Sequence, residues 1–196
     1  MHPYDDPISR FREDLAKATG SETFDATRCA LATADADGRP SVRFVLLKYA
    51  DERGFGLFTN YESRKARELE ANPRAALAFH WASLGEQVRI EGSIVRMPGE
   101  VSDEYFASRP RGSRIGAWAS PQSRAVEGRA ALDARVAEIE ARFEGSEVPR
   151  PSFWGGYFLV PDAIEFWFDG VSRLHDRYLY RRGGVGEGWT LTRLAP

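Results

Sequence analysis

Apolar and polar positions along this chain recur with two different periods, and the switches between them mark out its elements. Asp6-Pro7 sets a capping residue before a proline at the first helical position, and Ile8, Phe11, Leu15 and Ala18 then follow at helical spacing. This predicts a helix over about 7–19, ending near Gly20. Short runs of β character come next: Cys29 to Thr33, Ser41 to Lys48, Phe55 to Thr59, Arg74 to Ala82 and Gln87 to Met97. In the last of these Val88, Ile90 and Gly92 alternate with Arg89, Glu91 and Ser93, the period of a half-buried strand. Asp35-Ala36-Asp37-Gly38 joins the first two runs as a hairpin, Asp51-Glu52-Arg53-Gly54 makes the next turn, and Glu62 to Ala71 is helical until Asn72-Pro73 stops it.

The second half starts with a helical stretch opened by Pro98, holding Tyr105, Phe106 and Arg109 and closed by Pro110. Ala119 to Ser123 reads as a loop. From there Leu132, Val136, Ile139 and Phe143 give a long amphipathic helix over about 124–144, to which packing alone is assigned. Pro149-Arg150-Pro151 and Trp154-Gly155-Gly156 form a rigid connection. C-terminal strands fill about 156–196: Tyr157 to Val160, Ala163 to Phe168, Arg177 to Arg182 and, after the glycine-rich turn Gly183-Gly184-Val185-Gly186, Trp189 to Leu194. So many short strands with few helices between them predict a mainly β (α+β) antiparallel barrel or sandwich, a single domain over 1–196. No G-x-G-x-x-G lies between a strand and a helix, and there is no Walker-type loop and no H-E-x-x-H.

Composition narrows the function. With 42% hydrophobic and 12% aromatic residues, 196 residues can bury a sizeable core. Lys plus Arg (27) nearly balance Asp plus Glu (29), so no global field draws the chain to nucleic acid or membrane, and anion binding has to be local. The lone Cys29 lacks a disulfide partner and metal-ligand spacing, which suits a reducing cytosol, and the first residues are neither basic nor apolar. A soluble, cytoplasmic protein is expected.

Local anion chemistry is concentrated in Arg43-Phe44-Val45-Leu46-Leu47-Lys48 and in Phe58-Thr59-Asn60-Tyr61-Glu62-Ser63-Arg64-Lys65. Arg offers phosphate a planar fork, Lys a point charge, and hydroxyls and free N–H groups at a helix start add hydrogen bonds. Arg64 and Lys65 in a first helical turn oppose the macrodipole, a conflict that a bound anion relieves. Arg43 and Lys48 are five apart, so a regular strand points them to opposite faces, and two ligands on either side of it are expected. Tyr105 and Arg109 share a helical face, with Ser113 one interval further, as a second small anion pocket. Alternation in an extended segment would align Arg173, His175 and Arg177 beside Trp167, with the imidazole suited to hydrogen bonding or proton handling.

These blocks, together with Gln87-Val88-Arg89-Ile90-Glu91-Gly92, Tyr105-Phe106-Ala107-Ser108-Arg109-Pro110, Gln122-Ser123, Ile164-Glu165-Phe166-Trp167 and Arg173-Leu174-His175-Asp176-Arg177, stand in the order and approximate spacing of the pyridoxine/pyridoxamine 5′-phosphate oxidase family. The chain resembles that family from about Asp6 to Pro196. The resemblance implies an FMN-binding split β-barrel, a homodimer with its flavins at the interface. It implies hydride transfer from C4′ of pyridoxine or pyridoxamine 5′-phosphate to flavin N5, yielding pyridoxal 5′-phosphate, and reoxidation by dioxygen to hydrogen peroxide. Carried over by position, the block Arg43 to Lys48 with Phe58, Thr59, Arg64, Lys65, Gln122 and Ser123 would hold FMN, with Gln87, Trp167 and Arg177 on its ring side or across the interface. Lys48, Tyr105, Arg109 and Ser113 would clamp the substrate phosphate, and Arg173, Leu174 and His175 would lie over the substrate ring. Rival readings are a flavin oxidase or reductase for another substrate, such as a phenazine precursor, and a non-catalytic FMN or heme-utilisation protein. The chain departs from the family pattern at Glu86, where Arg is usual, at Phe168, where Gln is common, and in having only Met1 to Asp5 ahead of the first helix.

Overall fold

The computed structural model describes residues 6–183 and 188–196; the short N-terminal arm and most of the glycine-rich turn lie outside them. Helix α1 (Pro7–Ser21) begins as its sequence dictates, with the Asp6 carboxylate accepting from the Ile8 and Ser9 N–H groups. Six strands and one helix follow: β1 (Arg28–Ala34), β2 (Pro40–Leu46), β3 (Tyr49–Asp51), β4 (Gly54–Asn60), α2 (Arg64–Ala71), β5 (Arg74–Trp81) and β6 (Glu86–Arg96). Then come α3 (Gly99–Ser108), α4 (Arg111–Ala119), α5 (Arg129–Arg142), β7 (Trp154–Phe168), β8 (Asp176–Arg182) and β9 (Trp189–Leu194). Every pairing among the described strands is antiparallel, in the order β2-β1-β5-β6-β7-β4-β3, with β8 joining β7 and carrying β9. The fold is a split β-barrel with flanking helices, the mainly β class that the strand pattern predicted.

β7 is where the barrel splits. Its first half pairs with β4 and its second half with β8, while β6 runs along its other edge throughout. Between the halves the register slips at Glu91/Gly92, opposite Pro161. A Cβ on Gly92 would run into the Val160 carbonyl, and Pro161 has no N–H to offer a ladder, so this is a bulge that bends the strand. Pro161-Asp162 reads in the sequence as a break between two strands; the chain passes through it as one.

Other boundaries moved for equally local reasons. β2 stops at Leu46 instead of running to Lys48, because Leu47 N–H turns to the Thr27 carbonyl and Lys48 N–H to the Gly56 carbonyl. Past Pro110 the chain starts a separate helix, α4, for which the sequence pattern predicts no element. The long helix starts at Arg129 instead of about 124, following Gly128 at φ 156°.

α1 fills the concave face of the sheet. Phe11 is fully buried, its ring 5.0 Å from both Phe55 and Phe79 and 5.6 Å from Trp81. A second, smaller core of Phe106, Ile115, Phe143, Val148 and Trp154 holds α3, α4 and α5 to the start of β7. Cys29 is buried and its thiol pushed up to about 12 by that burial, which makes it an inert packing residue. No helix among the described residues is long and apolar enough to cross a membrane.

Glu86 and Phe168, two of the departures from the family pattern, are cross-strand partners on β6 and β7. The Arg10 guanidinium of α1 lies 5.0 Å from the Phe168 ring centroid and 4.6 Å from that of Phe166, and pairs with buried Asp14. Glu86 is buried with Oε1 lacking a hydrogen-bond partner, and burial, reinforced by Asp14, pushes its carboxyl well above the usual carboxylate range. The folded state therefore keeps a proton that the unfolded chain releases, and stability falls as pH rises out of the ordinary carboxylate range until Glu86 ionises. Glu86→Gln should flatten the decline in Tm between pH 5 and pH 8 in scanning fluorimetry; a decline as steep as the wild type's would show that another group holds the proton.

Candidate active site

The end of β2, the end of β4, the start of α2, and α3 and α4 converge on a cavity of about 570 Å³. Its walls bring together Arg43, Phe44, Val45, Leu46, Lys48, Phe58, Thr59, Lys65, Tyr105, Arg109, Ser113 and Gln122. Arg43 and Lys48 both line it, which corrects the expectation that strand parity sends them to opposite faces. Parity lapses where β2 ends at Leu46 and the chain bends across to β4. Leu47, by contrast, is buried in the main core, and Arg64 and Ser123 are exposed outside the cavity wall.

One end of the cavity is a cluster of donors. The Lys65 ammonium donates to Thr59 Oγ1 at 3.1 Å, Gln122 Oε1 at 3.1 Å and Ser63 Oγ at 3.4 Å. Ser63 is the N-cap of α2, so the free N–H groups of the first turn lie beside this cluster. Arg43 donates from Nη1 to Thr33 Oγ1 at 2.6 Å and to the Leu31 carbonyl at 3.2 Å, and from Nη2 to Ser41 and Glu68. Burial, helped by the nearby Arg43 charge, brings the Lys65 pKa down to about 8. Because burial makes this lysine easier to deprotonate, an anion such as phosphate beside it would favour its charged form.

The other end is aromatic and cationic. Phe58 stacks on Tyr105 with centroids 4.1 Å apart and on Trp154 at 5.2 Å, and the Arg109 guanidinium sits 4.8 Å from the Trp154 ring centroid. Arg109 Nη1 is buried with no hydrogen-bond partner, and burial lowers the guanidinium's pKa. Ser113 reaches the cavity because Pro110 ends α3 and caps α4. Trp154, which supports this end, reads in the sequence only as part of a rigid connection; its one signal there is an aromatic residue directly before Gly155-Gly156.

Gln87, Trp167 and Arg177 are direct cross-strand neighbours on β6, β7 and β8, and they line a different cavity, of about 290 Å³. Arg177 donates to Glu165 at 2.7 Å and to the Ala195 carbonyl at 3.0 Å. The His175 ring lies 4.3 Å from that of Trp167; its Nδ1 accepts from Gly170 N–H at 3.2 Å and has an Asp169 carboxylate oxygen at 3.3 Å. The alignment expected for Arg173, His175 and Arg177 does not form, because Val171–Arg173 is a 3₁₀ turn and the strand begins only at Asp176. Ser172 and Arg173 hold φ values of 57° and 63°, a left-handed pair that costs free energy and is concentrated, in proteins generally, at functional turns. Leu174 is exposed.

A split barrel whose cavity carries one cluster of cations and hydroxyls and, beyond an aromatic stack, a further guanidinium with a buried, unpartnered Nη1 has a lining whose chemistry suits phosphorylated, ring-bearing small molecules. Comparison with known proteins makes this specific. The family model for pyridoxamine 5′-phosphate oxidase matches residues 21–143, and that for the pyridoxine 5′-phosphate oxidase C-terminal dimerisation region matches residues 154–196. The chain belongs to the pyridoxine/pyridoxamine 5′-phosphate oxidase family. It is 59% identical over 191 residues to the pyridoxine/pyridoxamine 5′-phosphate oxidase of Anaeromyxobacter dehalogenans (strain 2CP-C), covering 97% of this chain and 96% of that one. To the protein of the same name from Paraburkholderia phymatum it is 57% identical over 190 residues, with 97% and 89% covered. Among solved structures, PhzG from Burkholderia lata 383, in complex with tetrahydrophenazine-1-carboxylic acid, aligns with a TM-score of 0.92 at 35% identity over 99% of this chain and 94% of that one. A pyridoxamine 5′-phosphate oxidase-related, FMN binding protein from Nostoc punctiforme PCC 73102 shares the fold, with a TM-score of 0.77 at 16% identity and all of both chains covered.

Inorganic phosphate offered to the ligand-free protein should bind less tightly as pH rises past about 8, where Lys65 gives up its charge. Bound anion raises that pKa, so the midpoint of the loss should lie above 8. Calorimetry of Lys65→Met should show weaker binding with this pH dependence gone; an unchanged profile would place the anion elsewhere.

Proposed function

We propose that the chain is an FMN-dependent oxidase that converts pyridoxine 5′-phosphate and pyridoxamine 5′-phosphate to pyridoxal 5′-phosphate, working as a cytoplasmic homodimer. The observation that carries this reading is the pair of anion poles in one cavity: the Lys65 cluster at one end and the buried, unpartnered Arg109 Nη1 at the other. Two phosphorylated molecules lying against each other need two such poles. The donor set suits FMN: Lys65, Thr59, Gln122 and Arg43, with Arg64 and Ser123 at the rim, would take its phosphate and ribityl chain, and the backbone from Phe44 to Leu47 would run alongside.

Gln87, Trp167 and Arg177 belong on the ring side of the same flavin, yet in one chain they line a separate cavity. A second copy that brings its own set to the first cavity resolves this. The matched dimerisation region supports such a pairing, as do Val42 and Phe44, 69% and 75% exposed on the edge strand β2.

Lys48, Tyr105, Arg109 and Ser113 would hold the substrate phosphate, and Arg173 and His175 would cover its ring. His175 Nδ1 is engaged by Gly170 N–H at 3.2 Å beside an Asp169 carboxylate oxygen at 3.3 Å, which leaves Nε2 as the ring nitrogen that would meet the substrate. FMN, when bound, would supply the oxidation: two electrons from substrate C4′ would go on to dioxygen, which with two protons leaves as hydrogen peroxide, and with the amine substrate one water would then release ammonia. The chain's own residues contribute by fixing both molecules at reactive distance and by excluding water.

The likeness to PhzG favours a second reading, oxidation of a reduced phenazine carboxylic acid. Purified, FMN-loaded protein under air should convert pyridoxine 5′-phosphate to aldehyde with an equal amount of peroxide. Absence of both products from a flavin-loaded sample overturns the proposal, and turnover of a reduced phenazine carboxylate alone establishes the second reading. Arg173→Leu should lower kcat/KM about a hundredfold, about 2.7 kcal/mol, with FMN retained. Arg109→Ala should chiefly raise KM for phosphorylated substrate, because a phosphate held equally in ground and transition states contributes uniform binding.

A further inference from the structure

Glu68 is a carboxylate buried directly behind the cations of the first anion pole. It sits on α2, only 6% exposed, and accepts from four side chains on three elements. Thr33 of β1 and Ser41 of β2 donate to Oε2 at 2.5 and 2.6 Å, Arg43 Nη2 reaches the same oxygen at 3.2 Å, and Arg64 Nε donates to Oε1 at 2.8 Å. Burial works against ionisation, but the hydrogen bonds from Ser41, Thr33, Arg64 and Arg43 outweigh it and bring the carboxyl down to about 2. The carboxylate is thus charged at any working pH.

Its two arginines are held differently. Arg43 is gripped through both outer nitrogens, which fixes its plane against the β1–β2 hairpin. Arg64, whose side chain is 62% exposed, is gripped only through Nε, so the fork of its two outer nitrogens remains for a bidentate partner. Without that grip a long exposed side chain would sample many rotamers and lose that entropy on binding. Charge also matches: Arg43, Arg64 and Lys65 against Glu68 leave a net charge of about plus two, opposite to a phosphate monoester dianion.

We infer that Glu68 is a positioning residue of the phosphate pole, orienting Arg43 and Arg64 from behind without touching the ligand. This rests on the FMN reading above and adds a residue to it. Because two of the four groups that Glu68 holds, Arg43 and Arg64, are ones assigned to the phosphate, its loss should separate FMN from riboflavin, which has the same ring and ribityl chain but no phosphate.

The test titrates ligand-free wild type, Glu68→Ala and Glu68→Gln with FMN and with riboflavin, following flavin fluorescence, and records each Tm. The ratio of FMN to riboflavin affinity should fall about tenfold or more in Glu68→Ala. It should fall less, though at least about threefold, in Glu68→Gln, which keeps an acceptor oxygen. Unchanged or tighter FMN binding in the variants overturns the inference, as does a parallel loss of both ligands, which would mark Glu68 as a clip between α2 and the hairpin. If Glu68→Ala does not fold, the ratio in Glu68→Gln decides. Wild type that takes up no FMN removes the cofactor reading and this inference with it; wild type that binds FMN with an unaltered ratio in the variants removes only this inference.

Discussion

Both halves of the candidate site depend on the bulge at Gly92 and Pro161, which lets one strand of fifteen residues serve two parts of a sheet. Ahead of it β7 pairs with β4 and sets Trp154 behind Phe58; beyond it β7 pairs with β8 and sets Trp167 between Gln87 and Arg177. The slip in register costs a ladder hydrogen bond, and a prolyl residue, which has none to give, is the residue that loses least there. The two aromatic and cationic groups therefore line two separate cavities from the two ends of one strand.

Electrostatics then makes the first cavity receptive. Lys65 and Arg109 are both partly removed from water, and both are pushed toward deprotonation by that burial. Folding holds these charges at a cost that an incoming anion offsets, so part of the binding free energy is prepared in the ligand-free protein. Donors already fixed around Thr59, Gln122 and Ser63 need little rearrangement when the anion arrives, which is the basis of electrostatic preorganisation. Glu68 belongs to the same economy of charge: it keeps neighbouring guanidiniums from repelling one another and ties them to the hairpin beneath.

Much of this was legible along the chain. The helix start at Asp6-Pro7, the β1–β2 hairpin and the alternation of β6 all follow from local patterns that tertiary packing reinforced. Short-range signals failed where long-range pairing overrode them. Pro161-Asp162 looks like a strand end until β6 is seen to accommodate it. Pro110 looks like a stop, yet it caps the next helix. Arg173 and His175 alternate on paper, but the left-handed backbone at Ser172 and Arg173 breaks the extended segment that alternation requires. Glu68 was invisible, because nothing in Glu-Leu-Glu-Ala marks one carboxylate of an exposed-looking helix as buried; its partners lie 25 to 35 residues away on other strands, apart from Arg64 one turn back.

By itself the sequence determined the kind of element at most positions, the mainly β class, and which residue types were present to bind anions. These are properties of neighbours within a few residues, set by periodicity, capping and turn chemistry. Only the tertiary structure decided that Arg43 and Lys48 face one cavity, that Arg109 keeps a buried Nη1 without a hydrogen-bond partner, and that Gln87, Trp167 and Arg177 stand apart from the Lys65 cluster. Those depend on where a strand bends and which distant strand it meets, and burial is a property of the whole packed chain that no local pattern contains.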